Sequence, residues 1–327
     1  MNLTADSQAI LILCSHLGLP QEPDFKPLTL REWNSLARRL LDSSLGSPGG
    51  LLGLSADALK AELALSESEA ERLVWLLGRG GGLAVELERL ESLGIWVMTR
   101  ADTSYPQRLK QRLKQAAPVV LFGAGEPDLL GQPGLAVVGS RNVDDRGKAC
   151  ADFIGNACAH GGLVLYSGGA RGVDAISTKA ALEARGTAVG VLAHSLEKAI
   201  RAPDARPKLM SGDLALVTPY SPNAEFSVGA AMGRNKLVYA LADYALVIAS
   251  DAGKGGTWAG ATEALKAKWL PIFVLDGPNV PEGNRQLLGK GAISFPDSLF
   301  TASLSLREWL EAQATGFEPP PVQNRLL

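Results

Sequence analysis

The sequence has few of the residues that build disulfide frameworks and metal centres. Its 327 residues include three cysteines and three histidines. The cysteines form no CxxC pair, and three of them cannot all be paired within the chain. Cys150 and Cys158 lie in a segment with a helical pattern. We therefore expect both to be buried and to behave as small apolar residues, in a protein of a reducing compartment. No Ser-His-Asp order and no metal-ligand spacing is visible, so the sequence predicts no metal, no cofactor and no catalytic triad.

Long apolar runs and a strong net charge are also missing. No apolar run reaches the length of a transmembrane helix, and the N-terminus lacks the features of a signal peptide. We therefore expect a cytoplasmic protein. The net charge is −2, from 32 basic and 34 acidic residues, so no overall basic field indicates nucleic acid. A nucleic-acid binder of this composition needs a local basic groove.

Residues 1–95 are predicted to form a small helical domain. Ser66 and Glu69 match a capping box at the start of one helix, and Gly80 to Gly82 are predicted to end that helix. Short helices joined by Gly, Ser and Pro are typical of a bundle that packs or binds a partner. The same pattern also allows a helix-hairpin-helix (SAM-like) domain that grips a DNA backbone.

Residues 96–133 are predicted to be a connecting segment. Within it, "GIWVMTR" indicates a strand. A short basic run follows, and it indicates either a solvated helix face or a phosphate contact. Its cations are Arg108, Lys110, Arg112 and Lys114.

From residue 134 to about 298, apolar strands alternate with Gly-rich turns and helices. The strands are apolar throughout, which indicates that both faces of the sheet are covered. The fold class predicted is α/β, a Rossmann-like, mostly parallel sheet with helices on both faces. Residues 299–327 are predicted to be a tail that ends in the flexible segment "GFEPPPVQNRLL".

Three Gly-rich turns follow strands of this predicted sheet: "VGSRN", "YSGGARGVD" and "SDAGKGGTWAG". The carboxyl ends of parallel strands are where such sheets bind ligands. Glycines and free helix N–H groups together suit an anion such as phosphate. None of the three turns matches the GxGxxG or the P-loop pattern, which argues against NAD binding and ATP hydrolysis.

Two of these turns contain an arginine, Arg141 in the first and Arg171 in the second. Arginine offers a planar fork that matches phosphate, so Arg141 is predicted to contact phosphate rather than to pair internally. Arg171 is predicted either to contact phosphate or to brace Asp174 at the helix start. "GRNK", residues 233–236, interrupts an apolar helix and indicates a solvated face or, as we favour, a binding edge.

Few side chains are candidates for catalysis. His194 follows a predicted strand, at a position from which it can reach the ligand edge of the sheet. Glu263 lies near the start of a predicted helix, where it is either an acid–base group or a surface residue.

At this point "VVGSRN", "YSGGARGVDAIST", "GRNK" and "GNRQLLGKGA" together resemble the DprA/Smf family of DNA-processing proteins. Their order and spacing match across residues 134–295. The segment from "GIWVMTR" to "GEPDLL" also resembles that family's lead-in to its Rossmann domain.

The resemblance implies a single-stranded DNA-binding protein that helps to load RecA during natural transformation or recombination. It also implies a homodimer formed through the Rossmann domain, and a binding protein rather than an enzyme. It places Arg141, the "SGGARG" loop and "GRNK" at the DNA. With the neighbouring turns, the predicted DNA-binding residues are Gly139, Ser140, Arg141, Asn142, Ser167, Gly168, Gly169, Arg171, Arg234, Asn235, Lys236 and Lys254. Tyr166 and Trp258 are candidates for base stacking or for the core.

The chain departs from the family at several places. It has "GKGGT" where the family has "SGS", "AHSLEKA" where the family has a "CGLD"-like segment, and "SVGAAM" before "GRNK". The winged-helix domain of many members is missing from this sequence.

"GKGGTWAGATEA" also resembles the loop of the related LOG phosphoribohydrolases. Nucleotide binding or hydrolysis, with Glu263 as the acid–base group, is therefore the alternative function.

Overall fold

A computed structural model describes residues 3–301 and 305–319 of the chain. The described residues form two compact units. The first contains residues 3–105 and 113–123, and the second contains residues 106–112, 124–301 and 305–319. The domain boundaries that the sequence predicts at residues 95, 133 and 298 stay a prediction.

Helices make up most of the first unit, and two adjacent strands complete it. Its elements are α1 (Ala5–Cys14), α2 (Leu30–Asp42), α3 (Ala56–Leu63), α4 (Glu67–Leu77), α5 (Gly80–Ser92), β1 (Ile95–Thr99) and β2 (Val120–Gly125). The predicted capping box of Ser66 and Glu69 is present at the start of α4. A second capping box starts α2, where Thr29 accepts from the Glu32 N–H and Glu32 accepts from the Thr29 N–H.

The prediction that Gly80 to Gly82 end a helix is wrong. These glycines form the first turn of α5, and α4 ends before Gly78. The physical reason is a close backbone contact, because a Cβ on Gly82 would lie 2.7 Å from the carbonyl oxygen of Gly18. Gly82 therefore allows the start of α5 to pack against the backbone of Gly18.

The second unit contains seven strands that pair in parallel. The strands are β3 (Gly134–Gly139), β4 (Val164–Ser167), β5 (Ala188–Val191), β6 (Leu214–Thr218), β7 (Tyr244–Ala249), β8 (Ile272–Asp276) and β9 (Ile293–Pro296). They run in the order β6-β5-β4-β3-β7-β8-β9. The apolar segments that predicted strands from residue 134 onward all form strands, and their interiors are buried because helices cover the sheet.

Helices connect these strands and cover both faces of the sheet, which confirms the predicted Rossmann-like α/β class. The helices of this unit are α6 (Gln107–Leu113), α7 (Asp145–His160), α8 (Val173–Glu183), α9 (Leu196–Ala199), α10 (Ala205–Met210), α11 (Val228–Leu241), α12 (Gly255–Ala267), α13 (Glu282–Gly289) and α14 (Leu306–Gln313). As predicted, Cys150 and Cys158 are buried in α7, with no disulfide to each other.

The strand order reverses at β3, which pairs with β4 on one side and with β7 on the other. Ala136 marks this position, since it faces Tyr166 of β4 and Ala245 of β7 in the register. Chain connections leave β3 and β7 toward opposite sides, so a crevice opens beyond their carboxyl ends. Open parallel sheets bind ligands at this position.

The basic run on α6 has a structural role that neither of its predicted interpretations included. Arg112 donates to the carbonyl oxygens of Ala240 and Ala242 at the end of α11. Arg108 forms an ion pair of 2.9 Å with Asp243 just beyond. The two guanidiniums satisfy carbonyl groups that a helix end leaves without partners, so both arginines hold the helix that carries "GRNK".

Part of the predicted C-terminal tail is helical, since α14 buries Leu306 and Leu310. Most of the segment predicted to be flexible, residues 316–327, lies outside the described residues. Among residues 3–301 and 305–319, no helix has the length and apolarity needed to cross a membrane.

Candidate functional site

A cavity of about 470 Å³ lies at the switch point between β3 and β7. Its walls come from the turns after β3, β4 and β7, from the first turns of α8 and α12, and from α11 together with Phe226, two positions before that helix. The polar residues that line it are Ser140, Arg141, Asp174, Arg234, Asn235, Tyr239, Ser250, Asp251, Lys254 and Thr257. Because several strand ends converge here, residues far apart in the sequence share one site.

Arg234 is a buried cation in the wall of this cavity. Its side chain is 7% exposed, and its Nε has no hydrogen-bond partner among the described residues. Burial lowers the pKa of its guanidinium, and nearby Arg141 lowers it further. A buried donor without a partner costs free energy that an anionic ligand recovers, so Arg234 is suited to bind an anion.

Asp174 is the acidic group beside Arg234. It is buried, and it accepts hydrogen bonds from the N–H groups of Gly168 and Ala170 at 3.0 and 3.4 Å. Burial raises the pKa of its carboxyl group to about 6, against the opposing effects of Arg234 and Arg141. No ion pair within 4.0 Å joins Asp174 to either arginine in the described part of the chain, which leaves both guanidiniums available.

The glycine-rich turn after β4 packs against the turn after β3. Gly172 has a φ of +81°, and a Cβ there would lie 2.7 Å from the carbonyl oxygen of Arg141. The N–H of Val173 donates to the carbonyl oxygen of Ser140 at 3.3 Å. Only glycine allows this approach, which brings Asp174 on the next helix to the cavity.

Asn284 fixes the turn after β7. This fully buried residue of α13 accepts from the Ser250 N–H and donates to the carbonyl oxygens of Ile248 and Leu275, each at 2.9 Å. It therefore ties the ends of β7 and β8 together below the cavity. Its motif, "GNRQLLGKGA", is positioned to support the site rather than to line it.

The structure brings half of the predicted DNA-binding residues to the cavity wall: Gly139, Ser140, Arg141, Arg234, Asn235 and Lys254. Arg141 and Lys254 are exposed side chains, and neither forms an ion pair with a described residue. Together with Arg234 they place three positive charges at the edge of the sheet where the strands end.

The other six predicted residues do not line the cavity: Asn142, Ser167, Gly168, Gly169, Arg171 and Lys236. Ser167 is buried and lies 3.0 Å from the Thr178 hydroxyl. Arg171 points to solvent, and no ion pair to Asp174 forms, so the predicted brace is wrong. These residues are next to the site in sequence but outside its wall.

The aromatic residues named from the sequence are not at the cavity. Tyr166 is a core residue with no exposed surface, and its hydroxyl donates to the carbonyl oxygens of Leu129 and Gln132. The amine of Lys290 lies 5.9 Å from the centre of the Trp258 ring. The cavity instead has Phe226 in its wall. Its only signal in the sequence is its position directly before the unusual segment "SVGAAM".

The two candidate catalytic side chains also lie outside the cavity wall. Glu263 is exposed on α12. His194 is half-buried, and burial and the charge of Arg234 lower its pKa. Across residues 3–301 and 305–319, no cluster of three or more His, Cys, Asp or Glu side chains is arranged to hold a metal ion.

The fold and site define a Rossmann-like α/β protein with a cationic cavity at its switch point. Residues 96–300 match the family described as DNA recombination-mediator protein A, and the chain belongs to this family. This match confirms the DprA/Smf resemblance that the sequence motifs indicate.

Two curated relatives show the extent of the similarity. The chain is 27% identical over 217 residues to the DNA processing protein DprA of Streptococcus pneumoniae, covering 64% of this chain and 72% of that protein. It is 29% identical over 215 residues to protein Smf of Escherichia coli, covering 63% of this chain and 57% of that protein. The match therefore leaves more than a third of Smf uncovered.

Solved structures of two relatives share the fold. The X-ray structure of DprA from Streptococcus pneumoniae superposes with a TM-score of 0.65 at 20% identity, covering 93% of this chain and all of that chain. DNA processing protein A from Helicobacter pylori, described by its single-stranded DNA binding mode, gives a TM-score of 0.52 at 24% identity. That match covers 68% of this chain and 97% of that chain.

Proposed function

We propose that the chain binds single-stranded DNA through the cavity at the switch point, with residues 134–298 as the binding domain. The observation that carries this proposal is Arg234, a buried guanidinium in the cavity wall whose Nε lacks a partner. A phosphate is an anion that accepts several hydrogen bonds and pairs well with the arginine fork. Arg141 and Lys254 would extend the contact to neighbouring phosphates of the strand.

The other predicted residues that do not line the cavity have a smaller part in this proposal. Asn142, Arg171 and Lys236 are close enough in sequence to meet a strand that leaves the cavity. Ser167, Gly168 and Gly169 would act through the shape of the turn after β4. This assignment is tested by substituting Arg171 and Lys236 separately from the cavity arginines.

The biological role that we propose is protection of single-stranded DNA and assistance in RecA loading during DNA uptake or recombination. The chain would do this in the cytoplasm as a homodimer formed through the Rossmann-like domain, and as a binding protein rather than an enzyme. Family membership and the similarity to DprA proteins support this role. Light scattering of the purified chain tests the dimer, and RecA assembly on DNA with and without the chain tests the loading.

The binding experiment is fluorescence anisotropy of a labelled single-stranded oligonucleotide over a salt series. Duplex DNA and a mononucleotide serve as competitors. We expect tight binding that weakens as salt rises, because neutralised phosphates release counterions, and little displacement by either competitor. Arg141→Ala should weaken binding, whereas Lys179→Ala, an exposed cation of α8 paired with Glu183, should not.

The same experiment distinguishes the alternative of nucleotide binding or hydrolysis. A chain that ignores the oligonucleotide but binds or cleaves the mononucleotide would contradict the proposed function. Hydrolysis has less support in the site itself, because Glu263 lies outside the cavity.

A further inference from the structure

The packing of α11 against α12 depends on two glycines of α12. Gly256 and Gly260 lie one turn apart on α12, and Asn235 and Tyr239 lie one turn apart on α11. A Cβ on Gly260 would lie 2.7 Å from ring carbon Cε2 of Tyr239, and a Cβ on Gly256 would collide with the side-chain amide of Asn235. Neither glycine has a positive φ, so the backbone itself does not require glycine here. The two glycines instead form a groove on α12 that receives the two side chains of α11.

The contact between Gly260 and Tyr239 leaves little room for adjustment. Tyr239 is 1% exposed, and its hydroxyl lies 3.5 Å from the carbonyl oxygen of Thr257, to which it donates. A ring that is packed on all sides has no free space into which it can rotate. An atom added to residue 260 must therefore push α11 away from α12.

The glycine groove thereby determines where Arg234 lies. Arg234 precedes Asn235 on α11, and its guanidinium lies against the backbone of Gly168 in the turn after β4. Two contacts therefore fix α11, one with α12 through the groove and one with that turn through Arg234. A shift of α11 away from α12 changes the position of Arg234 in the cavity wall.

The same packing relates Arg234 to Arg141. Thr257 lies on the first turn of α12, and its hydroxyl donates to the carbonyl oxygen of Gly139 at 3.3 Å. Gly139 ends β3, and Arg141 follows two residues later. A series of contacts therefore connects the turn that carries Arg141, through α12, to the helix that carries Arg234.

We propose that Gly260 and Tyr239 are a positioning pair that sets the distance between Arg234 and Arg141, so that both cations meet phosphates of one strand. This inference rests on the proposed function and adds to it two residues that act through Arg234. Gly260 does not line the cavity. The role can therefore be tested at residue 260 without altering a group that touches the strand.

The test is fluorescence anisotropy of a labelled single-stranded oligonucleotide over a salt series, with Gly260→Ala compared with the wild type. We expect the affinity to fall about as far as for Arg234→Met, at least about tenfold. The slope of log affinity against log salt should fall by about 0.7, the value for one lost phosphate contact on a single strand. A purely structural glycine would change the free energy of unfolding and leave that slope unchanged.

Gly289→Ala is the matched control. A Cβ on Gly289 of α13 meets open space, so this variant should keep both the affinity and the slope. Circular dichroism melting of each variant establishes that the compared proteins are folded.

A second experiment adds Arg234→Met to Gly260→Ala. The combined variant should bind within about twofold of Gly260→Ala, because an arginine that is already displaced has no phosphate contact left to lose. Arg141→Ala should still weaken binding in the Gly260→Ala chain. Tyr239→Leu removes the ring edge that the new Cβ meets, so Gly260→Ala combined with Tyr239→Leu should recover most of the lost slope.

The outcomes separate this inference from the function on which it rests. If the wild type binds the strand and Gly260→Ala keeps its affinity and slope, the positioning role is wrong and DNA binding stands. The same conclusion follows if the loss adds in full to that of Arg234→Met. If the wild type does not bind the oligonucleotide, the proposed function is wrong and this inference fails with it.

The combination with Tyr239→Leu also decides the case in which Gly260→Ala alone does not fold. A folded double variant with the slope of the wild type supports the pair, because the added atom is then harmful only against the ring. A folded double variant whose slope is lower by about 0.7 overturns it.

Discussion

The guanidinium of Arg234 lies directly against the backbone of Gly168, in the space that a Cβ on residue 168 would occupy. The same added atom would lie 2.8 Å from the carboxylate of Asp174. Gly168 is outside the cavity wall, yet its lack of a side chain allows the buried arginine to reach the cavity. The glycine and the arginine are thus one structural unit, although 66 positions separate them in the sequence.

Gly168→Ala is therefore expected to displace Arg234 and to weaken DNA binding. The crowding should also lower the free energy of unfolding by about 1–3 kcal/mol, as is usual for an overpacked site. Anisotropy and urea unfolding measure the two effects. Gly229→Ala is the control, because a Cβ on Gly229 of α11 meets open space. That substitution should keep the affinity and slightly raise stability, and equal behaviour of the two variants would contradict the steric argument.

Arg234→Met should weaken DNA binding and make the folded protein more stable. The substitution removes a buried cation whose Nε has no partner, and we expect a gain of about 1–3 kcal/mol in the free energy of unfolding. Loss of a charge-assisted contact to phosphate should reduce affinity at least about tenfold.

Arg141→Met is the comparison for that experiment. Arg141 lines the same cavity but is exposed, so its loss should reduce affinity and leave stability within about 0.5 kcal/mol. If Arg234→Met is strongly destabilised instead, Arg234 is a structural residue and not a ligand-binding one. Urea unfolding of both variants distinguishes the two cases.

Affinity for DNA should rise as pH falls from 8 to 5. Above pH 6 the Asp174 carboxylate carries a negative charge that repels phosphate from the cavity, and below pH 6 the carboxyl group is largely protonated, since its pKa is raised to about 6. Asp174→Asn should bind as the wild type does at low pH and should flatten the profile. Protonation of nearby His194 acts in the same direction, and the Asn variant separates its contribution.

Stability follows the same titration. The folded chain keeps the Asp174 proton up to about pH 6, whereas the unfolded chain loses it near the ordinary value of 3.8. The contribution of this group to stability is thus fully present below pH 3.8 and is lost as pH rises toward 6, by at most about 1.4 kcal/mol per pH unit. The difference in urea midpoint between wild type and Asp174→Asn should show this slope, and a constant difference would count against the raised pKa.

The strands and the ligand edge were predictable from the sequence because each depends on local pattern. Apolar runs of four to six residues followed by Gly-rich turns predicted β3, β4 and β7, and the parallel arrangement placed Arg141 at the ligand edge of the sheet. That this edge holds the switch point depends on the strand order, which the sequence did not predict. Burial of Tyr166 and exposure of Phe226 were not predictable, since both depend on packing between distant segments. The structural roles of Gly168 and Asp174 likewise arise from contacts with α11 that no spacing in the sequence encodes.

Arg112 and Arg141 provide the sharpest contrast between a structural cation and a binding one. Arg112 is held by carbonyl oxygens at the end of α11, and burial lowers the pKa of its guanidinium to about 10. Its removal leaves buried carbonyl groups without donors, which should lower the free energy of unfolding by about 1–3 kcal/mol.

A phosphate contact would instead appear in the salt dependence of binding. Arg141→Ala should therefore reduce the slope of log affinity against log salt by about 0.7, whereas Arg112→Ala should leave that slope unchanged at temperatures where the variant is folded. A reduced slope for Arg112→Ala would assign the basic run of α6 to the DNA after all, because counterion release reports only the charges that meet phosphate.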